Sequence, residues 1–265
     1  MIRWFVTFLA FWISSASADQ LRLAVTTSFQ NSGLADVLLP AIKADTGLTV
    51  QLLVVGTGQA MRLGAAGDVD AILVHSRAAE EAFVVNGHGS HRREIMYNDF
   101  VLVGPADDPA NIGNADTAAQ ALRRIAETQR AFVSRGDQSG THNKERALWA
   151  AAGLDPVGDW YRSVGAGMGA ALNTASGLDA YILTDRASWL NFGNQAGLRL
   201  LFSGDPALFN QYAFIPISQE QHPHVKADQA QRLEAWLTSV QAQRLIDGYR
   251  IGQEQLFTFN AVRAN

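Results

Sequence analysis

Residues 134–145 read Ser-Arg-Gly-Asp-Gln-Ser-Gly-Thr-His-Asn-Lys-Glu, a stretch whose residue types and spacing suit it to holding an anion. Ahead of it, Ala131-Phe132-Val133 predicts a short strand, and residues 143–152 are rich in helix formers with no proline. A strand therefore delivers the loop to a helix N-terminus. There the first backbone N–H groups have no intrahelical partner and the dipole is positive, so Ser139, Gly140 and Thr141 can aim donors at one bound anion. Gly136 and Gly140 permit conformations and approaches that a side chain would block. Arg135 adds a permanently charged fork of donors matched to a tetrahedral oxyanion. Asp137 or Ser139 also suits the N-cap, a role compatible with anion binding. Arg135-Gly136-Asp137 as an adhesion tripeptide fits poorly between a strand and a helix. A competing chemistry is hydrolysis, with Ser139 as nucleophile and His142, three residues on, as base; no orienting acid or nucleophile elbow accompanies them.

The elements that must position this loop alternate strand and helix. Residues 21–25 predict a strand running into the hydroxyl-rich turn Thr26-Thr27-Ser28, followed by an amphipathic helix over 34–44. Residues 48–55 predict a second strand ending in Gly56-Thr57-Gly58-Gln59, which opens another helix, and 69–74 predict a third strand. Repeated β-α units with polar, glycine-bearing turns at the strand ends indicate a parallel α/β sheet whose ligands sit at those ends. Residues 97–105 and 212–217 predict two long strands that cross between lobes. The turn Gly165-Ala166-Gly167-Met168-Gly169 opens a helix but lacks the Gly-x-Gly-x-x-Gly spacing of a dinucleotide site, and no Gly-Lys-Ser/Thr occurs. The close histidine pairs, His88 with His91 and His222 with His224, have no nearby acid at metal-ligand spacing and read as surface histidines, so no protein-coordinated metal cation and no cofactor is expected.

Residues 1–18 combine one arginine, an apolar core and Ala16-Ser17-Ala18, which reads as a secretory signal peptide cleaved before Asp19. The apolar run is shorter than the roughly 20 residues that span a bilayer. The chain of 265 residues has no cysteine, hence no disulfide and no lipidated cysteine, and a soluble protein of the periplasm is expected. Its formal charge of −4 argues against nucleic acid and anionic membranes as partners. Local geometry has to attract an anion against the overall sign.

Taken in order, Thr26-Thr27-Ser28 with Asn31-Ser32-Gly33-Leu34, Gly56-Thr57-Gly58-Gln59-Ala60, Gly67-Asp68-Val69-Asp70, Met96-Tyr97-Asn98-Asp99-Phe100, Ser134-Arg135-Gly136-Asp137-x-Ser139-Gly140-Thr141-His142, and Trp160-Tyr161 with Gly167-Met168-Gly169 resemble the periplasmic tungstate-binding proteins of ABC transporters. The resemblance runs from about Leu21 to Trp236. It implies the two-lobed periplasmic binding protein fold, type II-like, with 19–100 plus 213–265 as one lobe and 101–212 as the other. It further implies a monomer that binds tungstate, with molybdate as a second ligand, and delivers it to a membrane permease driven by an ATPase, without chemical turnover. Ligand contacts are then expected from Thr27, Ser28, Thr57, Gly58, Arg135, Ser139, Gly140, Thr141 and Met168. The first loop departs from the family, since Val25 and Phe29 interrupt its usual threonine-serine run.

The loop also resembles that of phosphate-binding transport proteins, which share Arg-x-Asp-x-Ser-Gly-Thr. Tungstate and molybdate are fully deprotonated dianions at neutral pH and need donors only, whereas hydrogen phosphate carries a proton that needs an acceptor. A bare carboxylate facing a dianion repels it and loses a hydrogen bond. The sequence predicts that Asp137 pairs with Arg135 or caps the helix, leaving a donor-only pocket.

Overall fold

The computed structural model describes residues 19–137 and 139–262; the signal-peptide reading of 1–18 falls outside them. Leu21, Leu23 and Val25 alternate with Arg22 and Ala24 along β1 (Gln20–Thr26), which forces the strand to the middle of a sheet with helices on both faces. After α1 (Thr27–Asn31) and α2 (Leu34–Thr46) comes β2 (Thr49–Val55), parallel to β1 on one side; after α3 (Thr57–Ala66) comes β3 (Ala71–Val74), parallel on the other. α4 (Arg77–Val85) leads into β4 (Arg93–Pro105), a long strand that serves both halves of the molecule.

The second half begins with α5 (Ala118–Thr128) and β5 (Phe132–Ser134), continues through α6 (Gly140–Ala151), β6 (Tyr161–Ser163), α7 (Met168–Leu178), β7 (Tyr181–Asp185), α8 (Arg186–Leu190) and β8 (Leu198–Phe202), and returns along β9 (Phe209–Pro216). β5 lies parallel between β6 and β7. α9 (Ala227–Leu237), α10 (Val240–Gly248), the hairpin β10 (Arg250–Ile251) with β11 (Glu254–Gln255), and β12 (Thr258–Phe259) complete the first half.

Pairing along β4 changes hands at one point. Arg93 to Asp99 run antiparallel to β9, whereas Phe100 to Val103 run antiparallel to β7 and Leu102 to Pro105 meet β8. β9 in turn joins β4 to β3. The period of two is visible at the junction: Phe100 and Leu102 enter the core between β4, α5 and α6, while Val101 and Val103 enter the core beneath α7 on the opposite face. Two chemical ties mark the same level. Arg186 grips Asp99 through two bonds of 2.7 and 2.6 Å, and the buried Asn210 donates Nδ2 to Asn98 Oδ1 at 2.8 Å. α8, absent from the sequence reading, spans the junction: Ala187 packs into the core of the first lobe and Trp189 into that of the second.

Phe214 on β9 is wholly buried between β3 and β4. Phe214→Ala leaves a cavity under the strand that ties the two halves together and is expected to cost about 3–5 kcal/mol. Urea unfolding followed by tryptophan fluorescence measures it; a loss under about 1 kcal/mol would mean that β9 is not central to the first lobe's core.

Candidate functional site

The parallel strands all end at one level, and the helix that follows each of them begins there. In the first lobe β1 leads to α1, β2 to α3 and β3 to α4; in the second, β5 leads to α6, β6 to α7 and β7 to α8. Carboxyl ends of parallel strands and helix N-termini form the usual ligand crevice of open α/β sheets. Here the two sets face each other closely. A Cβ added at Gly140, the first residue of α6, would lie 2.9 Å from Cε1 of His75 at the end of β3. Lys144 Nζ donates to the carbonyl of Phe209 at 3.1 Å, and Asn191 Nδ2 to that of Asn31 at 3.5 Å.

On the second-lobe side, Gly136 has φ 63°, and a Cβ there would fall 1.7 Å from Ser163 Oγ, so the loop can lie across the end of β6 only with glycine at this position. Val164 N–H donates to Ser134 O at 3.0 Å and Ala166 N–H to Arg135 O at 3.2 Å, which stitches the β6 loop to the β5 loop. Arg135 donates Nη2 to Asp137 Oδ2 and Nη1 to Thr141 Oγ1. The other carboxylate oxygen of Asp137 accepts the Ser139 N–H at 3.2 Å. Asp137 thus pairs with Arg135 as expected, while the helix cap falls to Ser139. Burial pushes the Asp137 carboxyl up, but the bonds from Ser139 and Arg135 outweigh it and hold the group below its usual range. Ser139 is the N-cap of α6, its Oγ accepting the His142 N–H at 3.2 Å; the N–H groups of Gly140 and Thr141 stay available at the helix mouth.

On the first-lobe side, Thr26 Oγ1 caps α1 and lies 3.0 Å from Ser28 Oγ. Ser28 Oγ is also 3.0 Å from His75 Nε2 and 3.3 Å from Tyr212 OH, and the His75 and Tyr212 rings lie 4.8 Å apart. Thr27, by contrast, is exposed beside this cluster. Thr57 and Gly58 are the first residues of α3, whose N-cap is Gly56. α7 likewise starts behind a glycine, Gly167, with Met168 as its first residue. A glycine cap has no side-chain oxygen, so the leading N–H groups of both helices are left for another acceptor. The Met168 side chain is packed into the second lobe's core, so its backbone N–H is what it offers.

Three ionisable residues at the site were not singled out in the sequence. His75 carries no spacing signal, since its partners Ser28 and Tyr212 come from α1 and β9; burial drives its pKa down to about 4, so the imidazole is neutral at physiological pH. Asp185 is buried, caps α8 through Ser188 N–H at 2.9 Å, and has its pKa raised by burial in spite of the pull of Arg135. Glu145 is 2% exposed on α6 beneath the Arg135 loop and accepts Tyr161 OH at 2.6 Å; burial raises its pKa to about 7. The histidine pairs lie away from the cleft: His91 meets Glu234 at 2.8 Å, while His222 and His224 bond the Ala65 and Gly67 carbonyls. Among the described residues no group of three His, Cys, Asp or Glu side chains is placed to hold a metal ion, and no helix is long and apolar enough to cross a membrane.

The family model of the PBP superfamily domain matches residues 14–241. A tungstate-binding protein TupA of Peptoclostridium acidaminophilum is 45% identical over 247 residues, covering 91% of this chain and 86% of the relative. Among solved structures, the tungstate-binding protein TupA of Desulfovibrio alaskensis superposes with a TM-score of 0.86 at 41% identity, covering 92% of this chain and all of that one. The tungstate ABC transporter structure from Geobacter sulfurreducens gives 0.79 at 45% identity, covering 87% and 99%.

Burial of the neutral His75 imidazole is expected to make the fold at the cleft sensitive to acid. Its folded pKa lies below its unfolded value of 6.5, so the stability it contributes is present above that value and is lost as the pH falls toward about 4. Ligand-free protein is expected to lose more of its melting temperature between pH 7 and pH 5 than His75→Gln does, with each kcal/mol appearing as about 2–4 °C for a chain of this size. Parallel melting curves for the two proteins would remove His75 from the cleft's acid response.

Proposed function

The chain belongs to the PBP superfamily and, within it, to the family of the tungstate-binding proteins it resembles, and from that premise we propose that it captures tungstate between its two lobes and passes the ion to an ABC importer. It does so as a monomer in the periplasm, with molybdate as a weaker ligand and a membrane permease, powered by its ATPase subunit, as partner. Residues 19–100 with 213–265 and residues 101–212 act as the two closing lobes. The observation that carries this reading is the posture of Asp137. Its carboxylate is paired with Arg135 and accepts the Ser139 N–H, so each oxygen already has a donor and its charge is offset within the loop.

Several other groups at the cleft are donors. Arg135 presents its guanidinium from a fixed fork, the Gly140 and Thr141 N–H groups open from α6, and Thr57, Gly58 and Met168 contribute N–H groups at the glycine-capped helices. Ser28 with its hydroxyl neighbours supplies adaptable donors from the first lobe. Tungstate and molybdate exceed sulfate and phosphate in volume, and a rigid donor shell sized for the larger ion leaves longer and weaker bonds to the smaller ones.

Arg135→Ala is expected to weaken tungstate binding by about 2–5 kcal/mol while the ligand-free melting temperature changes little, as read by calorimetric titration and thermal melting. Unchanged affinity would remove Arg135 from the site. In the wild type, tungstate is expected to raise the melting temperature strongly, molybdate measurably, and sulfate and phosphate little at equal concentration. Displacement of tungstate by equimolar phosphate would replace this reading with phosphate transport. Closure is expected to lower the radius of gyration in small-angle scattering when tungstate is added; superimposable curves at saturation would count against hinge closure.

A further inference from the structure

Beneath the cradle lies a carboxyl group that the reading above does not use. Glu145 projects from α6 into the interior of the second lobe, and among the described residues no lysine or arginine side chain makes an ion pair with it. What surrounds it instead are neutral donors from each segment of the cradle. Tyr161 OH donates from β6 at 2.6 Å, and the backbone N–H of Arg135 reaches it from the β5 loop. Ser134 Oγ and Trp149 Nε1 also act on it, although each is buried without a hydrogen bond of standard geometry. The same group therefore touches the strand, the loop and the helix that shape the anion's donors.

We propose that Glu145 is a proton-coupled positioning residue for the oxyanion: the dianion binds more tightly when the Glu145 carboxyl is protonated, so that capture takes a proton up from solution. This rests on the oxyanion-binding reading of the same cleft. The physical reason is charge. Ionised Glu145 adds a carboxylate against the backbone of Arg135, whose side chain already pairs with Asp137 and acts on Asp185. A negative charge held in the interior just below the loop opposes a dianion above it far more than an exposed one would. Protonation removes that charge and leaves Tyr161, Ser134, Trp149 and the Arg135 N–H in place. Burial raises the Glu145 pKa to about 7, which puts its titration in the range a periplasmic protein meets.

The other titratable groups nearby do not substitute for it. Tyr161 is pushed up by burial and by Glu145 itself and stays neutral. His142 on α6 has its pKa lowered, chiefly by burial, and His75 titrates near 4. Arg146 and Arg135 are the guanidinium groups on this side of the lobe. A route for the proton exists without opening the lobes, because a cavity of about 410 Å³ lined by His142, Arg146, Asp155 and Ser163 reaches Trp149 and Tyr161, the two rings beside Glu145.

The test is calorimetric titration of the purified full chain with sodium tungstate from pH 6.0 to 8.5, in two buffers of different ionisation enthalpy so that protons taken up are counted. The expected result is a Kd that weakens on the order of tenfold across the range, never by more than about tenfold per pH unit, with fractional proton uptake near neutral pH. Glu145→Gln should hold an affinity that no longer varies with pH and take up no proton. Tyr161→Phe removes a donor that favours the ionised form, so the break in its profile should move to higher pH. A flat wild-type profile with tungstate bound, or an undiminished slope in Glu145→Gln together with an unmoved break in Tyr161→Phe, overturns the proposal.

A ligand-free arm separates this failure from that of the transport reading. Because the folded pKa of Glu145 is raised, its contribution to stability is full below about 4.5 and is lost as pH rises through about 7. Wild type should therefore lose melting temperature relative to Glu145→Gln over that interval, whatever the ligand is. If the melting difference appears and tungstate gives no heat at any pH, Glu145 titrates but the oxyanion reading and the coupling both fall. If tungstate binds and the melting difference is absent, the coupling alone falls.

Discussion

Arg135 is held by its own loop through two of its donors, while its Nε is buried without a partner among the described residues, and most of the cleft's behaviour follows from that. Its guanidinium is bonded to the carboxylate of Asp137 and the hydroxyl of Thr141. The pair carries close to no net charge, so the cleft does not work as a positive hole. The N-termini of α3, α6 and α7 open toward the cleft as well, and their aligned backbone dipoles cost no charge and cannot be neutralised by the chain's own acids. This is how a chain with a formal charge of −4 can hold an anion. The arginine contributes a fixed planar fork, and its partner keeps that fork from turning to solvent.

Fixing the donors is useful only if the opposite lobe arrives in register, and β4 provides for that. A single continuous strand exchanges partners between Asp99 and Phe100, with the Arg186–Asp99 ion pair and the Asn98–Asn210 bond side by side at the last β9-paired residues before the exchange. Sliding of one sheet along the other would break ladder bonds, whereas a twist about this level keeps them. α8 limits that twist, since its Ala187 and Trp189 belong to different cores. Close approach of Gly140 to His75 shows how little space remains at the far end of the arc.

The alternation of strands and helices was legible because most strands of the parallel sets are largely apolar and the turns after them are polar; β6, Tyr161-Arg162-Ser163, is the exception. The strands read at 21–25, 48–55 and 69–74 lie within a residue or two of β1, β2 and β3. Boundaries set by side-chain caps were harder. Thr26 turns the expected hydroxyl loop into the short helix α1, and Ser139 starts α6 at Gly140, before the helix formers that signalled it. The strand pair β10–β11 and β12 are too short to leave a periodic pattern. In the site, Arg135 and its loop declared themselves by residue type. His75 and Glu145 did not, because a histidine after a strand and a glutamate on a helix look like surface until Tyr212 and Tyr161 arrive from distant strands to bury them.

The way β4 acquires its partners has a consequence for how the chain comes into being. β9 and β12 both pair with the Arg93–Asp99 half of β4, β12 through Thr258 and Phe259 against Tyr97 and Met96, yet the whole second lobe intervenes in sequence. A polypeptide emerging from the ribosome N-terminus first therefore makes three parallel strands of the first lobe and then waits, with one edge of that sheet open, until more than a hundred further residues have been synthesised. Contacts of such long sequence separation close slowly because loop entropy must be overcome first. The second lobe, contiguous apart from its share of β4, can fold during that wait. The nascent chain thus has an obligatory order of assembly, and its first-made segment is the last to be finished and the longest exposed to a passing chaperone.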